Sequence, residues 1–178
     1  MKQKYIMRPK GDLTQGLIDM CCFVEKSNRK VLVEIGSYSG ESTVIFSDFF
    51  EKIYAIDPWQ NNYSEGDIAS TIQDFKEIEN LFDKRIYGKN IIKIKSKGED
   101  SLGLFDEKSI DVVYIDGNHE VKNVVSDIKN WIPKIKTGGY IAGHDYYLPK
   151  SNVMEAVNNV LGVPDKIFSD SSWIKKIV

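Results

Sequence analysis

Val31-Leu-Val-Glu-Ile-Gly-Ser-Tyr-Ser-Gly-Glu-Ser-Thr43, followed by Ile53-Tyr-Ala-Ile-Asp57, reads as an apolar strand, a glycine turn, a helix start and a second apolar strand that stops on an acid. Two parallel strands joined by a helix end side by side at the carboxyl edge of a sheet, where open α/β folds bind ligands. Gly36 and Gly40 let a ligand approach the backbone closely. Asp57 is placed to accept hydrogen bonds from both hydroxyls of a ribose. Together they outline a site for a nucleoside-containing cofactor. The third glycine of the G-x-G-x-x-G dinucleotide fingerprint is missing. Glu34, at the end of the first strand, would repel a pyrophosphate and suits a cofactor with a cationic ammonium. The competing structural readings are a βα turn that needs glycine sterically and, for Asp57, a turn acid before Pro58.

Outward from this stretch, strands and helices alternate. Upstream, residues 1–11 read as an irregular lead-in. Asp12, with Gln15 three positions on, then starts a helix with Leu13, Leu17, Ile18, Cys21 and Val24 at helical spacing, ending near Lys26. Downstream, Glu41–Phe50 reads as a short helix and Lys52–Ile56 as the second strand. Pro58–Gly66 is a polar, aromatic loop before a helix with Ile68, Ile72, Phe75, Ile78, Leu81 and Phe82 on one face. Asn90–Lys95 is a strand, Glu99–Phe105 a short helix and Ile110–Ile115 a buried strand. Val121, Val124, Val125, Ile128, Trp131 and Ile132 mark a helix stopped by Pro133. Gly138-Gly139 turns the chain into a strand at Tyr140–Ala142, and a helix follows through Val153, Val157 and Leu161. Strands near Lys166–Ser169 and Trp173–Val178 close the chain. Such alternation requires a mostly parallel sheet with helices on both faces. The Asp170–Ser172 linker is too short for a parallel crossover, so the last two strands form an antiparallel hairpin.

The composition suits one globular domain over 1–178, with 1–29 as lead-in and helix and 30–178 as the core: 178 residues, 42% hydrophobic, 28% charged. A net charge of −2 with scattered basic residues argues against a phosphate-tracking surface and against nucleic acid as partner. The N-terminus has no apolar signal region, and no stretch has the length of a membrane span. Cys21 and Cys22, adjacent and within a helix, read as reduced thiols of a cytoplasmic protein.

A second constellation joins Asp111-Val-Val-Tyr-Ile-Asp-Gly-Asn-His119 to Gly143-His-Asp-Tyr146. Both place polar side chains just past strand ends, at the edge already occupied by the glycine turn. Asp116 and Asp145 are candidates to share a hard divalent cation. His119 and His144 are the only histidines, and either suits removal of a proton from a substrate hydroxyl. The bland alternative is that each histidine caps its own loop. Trp59, Tyr63, Tyr146 and Tyr147 are candidates to stack on an adenine or a sugar, or to cover the sheet end.

These residues resemble the class I S-adenosylmethionine-dependent methyltransferases, and more narrowly the small bacterial and phage-type branch carrying Y-I-D-G-x-H and G-G-x-I-x-G-H-D-Y. Those motifs stand here at Tyr114–His119 and Gly138–Tyr146. The likeness runs from about Lys30 to the C-terminus, including Ala156-Val157 and Ser172-Trp173-Ile174. It implies a Rossmann-like, doubly wound seven-stranded sheet of order 3-2-1-4-5-7-6, strand 7 antiparallel. It also implies that Glu34, Gly36, Ser37, Tyr38 and Gly40 surround the methionine end of S-adenosylmethionine, with Thr43 donating from the helix start. By the same resemblance Asp57 holds the ribose, Gly98 and Glu99 lie beside the adenine, and Asp116 faces the sulfonium and the acceptor. Metal-dependent relatives bind magnesium at positions matching Asp116 and Asp145. Their third ligand directly follows the second acid, where this chain has Tyr146, leaving His144 or water for that place. In some relatives the base sits where His119 stands.

The resulting expectation is methyl transfer to a hydroxyl of a small molecule or sugar, with Asp116, His119 and His144 as the catalytic candidates and Mg2+ or another divalent ion at Asp116 and Asp145. The acceptor site is expected between the lead-in, the 58–66 loop and the 145–152 loop. A nucleotide-dependent oxidoreductase and a non-catalytic binding module are the alternatives. Neither the acceptor nor the oligomeric state is legible.

Overall fold

The computed structural model describes residues 12–61, 74–147 and 150–178. Seven strands form one sheet: β1 (Val31–Ile35), β2 (Lys52–Asp57), β3 (Ile91–Lys95), β4 (Ile110–Ile115), β5 (Ile135–Gly143), β6 (Lys166–Ile167) and β7 (Trp173–Lys176). Their order is β3-β2-β1-β4-β5-β7-β6. The first five are parallel; β7 runs antiparallel to β5 and to β6, as the short Asp170–Ser172 linker requires. This is the doubly wound sheet expected from the sequence.

Among the described residues the α-helices are α1 (Asp12–Phe23), α2 (Glu41–Ser47), α3 (Phe75–Ile86), α4 (Val121–Trp131) and α5 (Asn152–Leu161). They lie on both faces because strand side chains alternate. Val33 and Ile35 of β1 pack with Val124, Ile128 and Trp131 of α4 and Val153 and Val157 of α5. Leu32 points the other way, into a cluster with Leu17, Met20 and Cys21 of α1 and Phe46 of α2. Central strand β4 is buried at all six residues, as a strand covered on both faces must be. Its one charge, Asp111, accepts from Val31 N–H at 2.8 Å and pairs with Lys136 at 2.7 Å. That satisfies a carboxylate that burial would otherwise penalise.

Several boundaries differ from the sequence reading. Helix α1 ends at Phe23, and Lys26–Asn28 forms a separate 3-10 turn. Helix α2 stops at Ser47, and the Glu99–Leu104 segment is 3-10 rather than α. Gly138-Gly139 is not a turn before β5 but lies inside it: Gly138 has φ +82°, and the pairing with β4 shifts register between Ile110 and Val112. The glycine pair makes a bulge within one strand. Ile68, Ile72, Tyr63, the lead-in and most of the 58–66 loop lie outside the described residues, as do two residues of the 145–152 loop. Cys21 is buried and its thiol pKa is pushed up by that burial; Cys22 is exposed, and both are free.

Candidate active site

The glycine turn and the acid loops meet at the carboxyl edge. Gly36 leaves β1 at φ +89°, and a Cβ there would stand 2.1 Å from the Asp116 carbonyl oxygen. Only glycine allows both that conformation and that approach. Asp116 N–H in turn donates to Ile35 O at 2.8 Å, and Gly36 N–H to Ile56 O at 2.9 Å. Three strand ends are thereby stitched into one platform carrying Gly36, Asp57 and Asp116.

Asp57 is 7% exposed and accepts one backbone N–H on each oxygen, from Tyr38 at 2.9 Å and Trp59 at 2.7 Å. Burial pushes its pKa up to about 6 against those two bonds. Each oxygen retains a second lone-pair direction, so two hydroxyl donors would complete the carboxylate. The residue thus fits a ribose. Tyr38 is held at φ 45°, its carbonyl accepting from Trp59 Nε1 at 2.7 Å.

Glu34 sits elsewhere than expected. It is fully buried, and its two oxygens accept from the hydroxyls of Ser42 and Thr43. Burial raises its pKa to about 7 against those bonds. The carboxylate fastens the first turn of α2 beneath the glycine loop instead of lining the edge, and Thr43 is committed to the same contact. Ser37 is buried beside them. Gly40, at φ +84°, caps α2 against the Phe82 ring.

Gly98 precedes the Glu99–Leu104 turn and passes close to Ile35, Asp127 and Trp131. Asp127, which the sequence reading did not single out, is pushed up to about pKa 7 by burial and by the charge of Glu99.

The acid–histidine loops converge as the motifs imply. His119 Nε2 is 3.0 Å from Asp145 Oδ2 and 3.7 Å from Asp116 Oδ1. His144 Nδ1 is 3.1 Å from Asp145 Oδ1 and 3.9 Å from Asp116 Oδ1. Burial opposes ionisation of Asp145, but the hydrogen bond to His144 and the charges of both histidines outweigh it and bring its pKa down to about 2. One donor atom each from Asp116, His144 and Asp145 lies within 4.8 Å of the others, so this set fits a divalent cation. The side chain of His119 is 52% exposed while that of His144 is 14% exposed. His119 is therefore the one open to a substrate.

Asp170 is a second residue that sequence reasoning missed. It was legible only as part of a hairpin linker, yet its fully buried carboxylate stands 3.9 Å from His144 Nε2. Of the aromatics, Trp59 is buried on Phe82 with ring centroids 4.6 Å apart, and Tyr146 is buried with its hydroxyl on Asn158. Both cover the sheet end; Tyr147 is exposed.

The fold is that of the class I S-adenosylmethionine-dependent methyltransferases. A family profile described as "Methyltransferase domain" matches residues 33–146, and the chain belongs to that family. An uncharacterized protein of Acanthamoeba polyphaga mimivirus is 30% identical over 137 residues, 72% of this chain and 58% of that protein. An uncharacterized protein of Sinorhizobium fredii is 25% identical over 120 residues, 64% of this chain but 13% of the relative. The chain thus spans only part of the curated relatives it matches. Among solved structures, the O-methyltransferase NovP superposes with TM-score 0.66 at 16% identity, covering 93% of this chain and 79% of that one. An rRNA methylase from Streptococcus thermophilus gives TM-score 0.60 at 14% identity, covering 95% and 98%. No helix among the described residues is long and apolar enough to cross a membrane.

Proposed function

We propose that the protein transfers a methyl group from S-adenosylmethionine to a hydroxyl of a small molecule or sugar, with His119 as the base that takes the hydroxyl proton. The observation carrying this reading is the convergence of Asp116, His119, His144 and Asp145 beside the Gly36 turn and Asp57. S-adenosylmethionine, when bound, supplies a methyl carbon already activated by a sulfonium. The chain's part is to position the acceptor and deprotonate it.

Asp57 takes the ribose hydroxyls. The backbone of Gly36 to Gly40 borders the methionine end, with Glu34 and Thr43 holding that loop from below. Gly98 and Glu99 border the adenine. Asp116 orients the acceptor oxygen, and Asp145 holds His119 through Nε2. A divalent ion at Asp116 and Asp145 would lower the pKa of the acceptor hydroxyl. The net charge of −2 without a basic tract favours a small acceptor over a polynucleotide. NovP, an O-methyltransferase, shares the fold, as does the rRNA methylase.

The test is transfer of a labelled methyl group into separate pools of sugars, phenols and RNA. Labelling of sugars or phenols that falls by about 10²- to 10⁴-fold in His119→Ala supports the reading. Labelling confined to RNA, or unaffected by His119→Ala, contradicts it.

A further inference from the structure

We propose that Asp127 is a specificity-determining residue of the cofactor site: its carboxylate, reaching past Gly98, accepts a hydrogen bond from the 6-amino group of the adenine. This rests on the methyltransferase reading of the same edge and adds to it the side chain that reads the base.

The turn after β3 continues directly from the Asp57 strand end. Ser96 N–H donates to Asp57 O at 3.1 Å, so a base carried on a ribose at Asp57 meets Gly98 and Glu99 next. Bonds within the turn close it: Ser101 N–H donates to Gly98 O at 3.2 Å and Ser101 Oγ–H to Lys97 O at 3.0 Å. Gly98 has a helical φ of −55°, which any residue adopts, so its conformation does not call for glycine. Space does. A Cβ there would stand 3.0 Å from Ile35 Cγ2, and 3.7 Å from both Asp127 Oδ1 and Trp131 Nε1.

Asp127 and Trp131 stand one turn apart on α4 and share its face toward Gly98. They bring an acceptor and a donor to the same spot, and the protein pairs neither. Among the described residues nothing donates to the Asp127 carboxylate, and the charge beside it, Glu99, repels it. The fully buried Trp131 Nε1 likewise has no acceptor. A carboxylate withdrawn from water without a donor is costly. Asp127 is only partly buried, so its remaining surface is open to a ligand on the turn. An exocyclic amino group supplies the N–H that this carboxylate lacks. A 6-oxo group in the same place would set a carbonyl oxygen against it. The spot therefore takes adenine and rejects hypoxanthine.

Calorimetric titration of the intact chain with S-adenosylhomocysteine and with S-inosylhomocysteine, which carries a 6-oxo group in place of the amino group, tests this. The wild type should bind the inosyl compound about 10- to 100-fold more weakly. Asp127→Ala should bring the two within about threefold by weakening S-adenosylhomocysteine. The inosyl compound should bind that variant as before, which certifies its fold. Asp127→Asn, whose amide can turn its N–H toward a 6-oxo oxygen, should close the gap as well. Equal binding of the two compounds by the wild type overturns the role of Asp127 alone. So does a preference for adenine that survives both substitutions, or one that survives them and disappears in Glu99→Gln. Binding of neither compound overturns the methyltransferase reading, and the role of Asp127 with it.

Discussion

At the scale of single residues, two buried acids at the cofactor edge carry opposite lessons. Asp57 ends β2 with one backbone N–H on each oxygen and room for more. Glu34 was read as facing an ammonium, but Ser42 and Thr43 take its oxygens instead. Nothing in strand periodicity reveals that the first turn of α2 folds back over the strand it follows. Both acids have raised pKa values, about 6 for Asp57 and about 7 for Glu34. Each therefore binds its proton more tightly folded than unfolded. Folding takes up protons between the ordinary carboxylate range and about pH 7, so these groups make stability fall as the pH rises through that window. Glu34→Gln should flatten the decline, measured by urea unfolding between pH 4.5 and 7.5; an unchanged slope would remove Glu34 as its source. Asp116 is predicted to matter for transfer and not for cofactor affinity. Asp116→Ala should abolish methyl transfer while S-adenosylhomocysteine binds within about threefold of wild type, and unchanged turnover would exclude its role.

At the scale of elements, the alternation of strands and helices and the closing hairpin were legible because most strands are short apolar runs followed by a helical repeat, whereas the strand order followed from the resemblance to the methyltransferases. The length of β5 was not legible, since a Gly-Gly pair signals a turn as readily as a bulge. Its role depends on packing: Gly139 passes where a Cβ would be 2.7 Å from the Asp111 carbonyl oxygen, so the strand can bulge over its neighbour. Asp111 shows the same dependence on partners. A carboxylate inside an otherwise apolar central strand is tolerated only because Val31 N–H and Lys136 reach it. Asp111→Ala should cost about 1–3 kcal/mol, read as a lower urea midpoint with unchanged m-value. A loss below about 0.5 kcal/mol would show that the β1 end is held by other means. The Asp170 turn was the least legible element: a polar Asp-Ser-Ser run between strands looks like any hairpin, and only the tertiary fold brings it behind His144.

At the scale of the whole molecule, the doubly wound sheet collects polar residues from distant parts of the chain at one edge, while its two faces are sealed by α1 and α2 on one side and α4 and α5 on the other. Binding at that edge links three strand ends and should stabilise the domain. A ligand at about 100 times its Kd adds about 2.7 kcal/mol, which for a domain of this size raises Tm by roughly 5–10 °C. Thermal unfolding with S-adenosylhomocysteine checks this, and an unmoved Tm under saturation would contradict it. The glycine spacing that departs from the dinucleotide fingerprint and the proposed ribose role of Asp57 together support the central claim: this edge binds a sulfonium nucleoside and not a pyrophosphate. Calorimetric titration of the intact chain with S-adenosylhomocysteine and, separately, with NAD tests that claim most directly. The account predicts saturable one-site binding of S-adenosylhomocysteine, weakened about tenfold or more in Asp57→Asn, and no heat from NAD. Saturable binding of NAD with none of S-adenosylhomocysteine would contradict it.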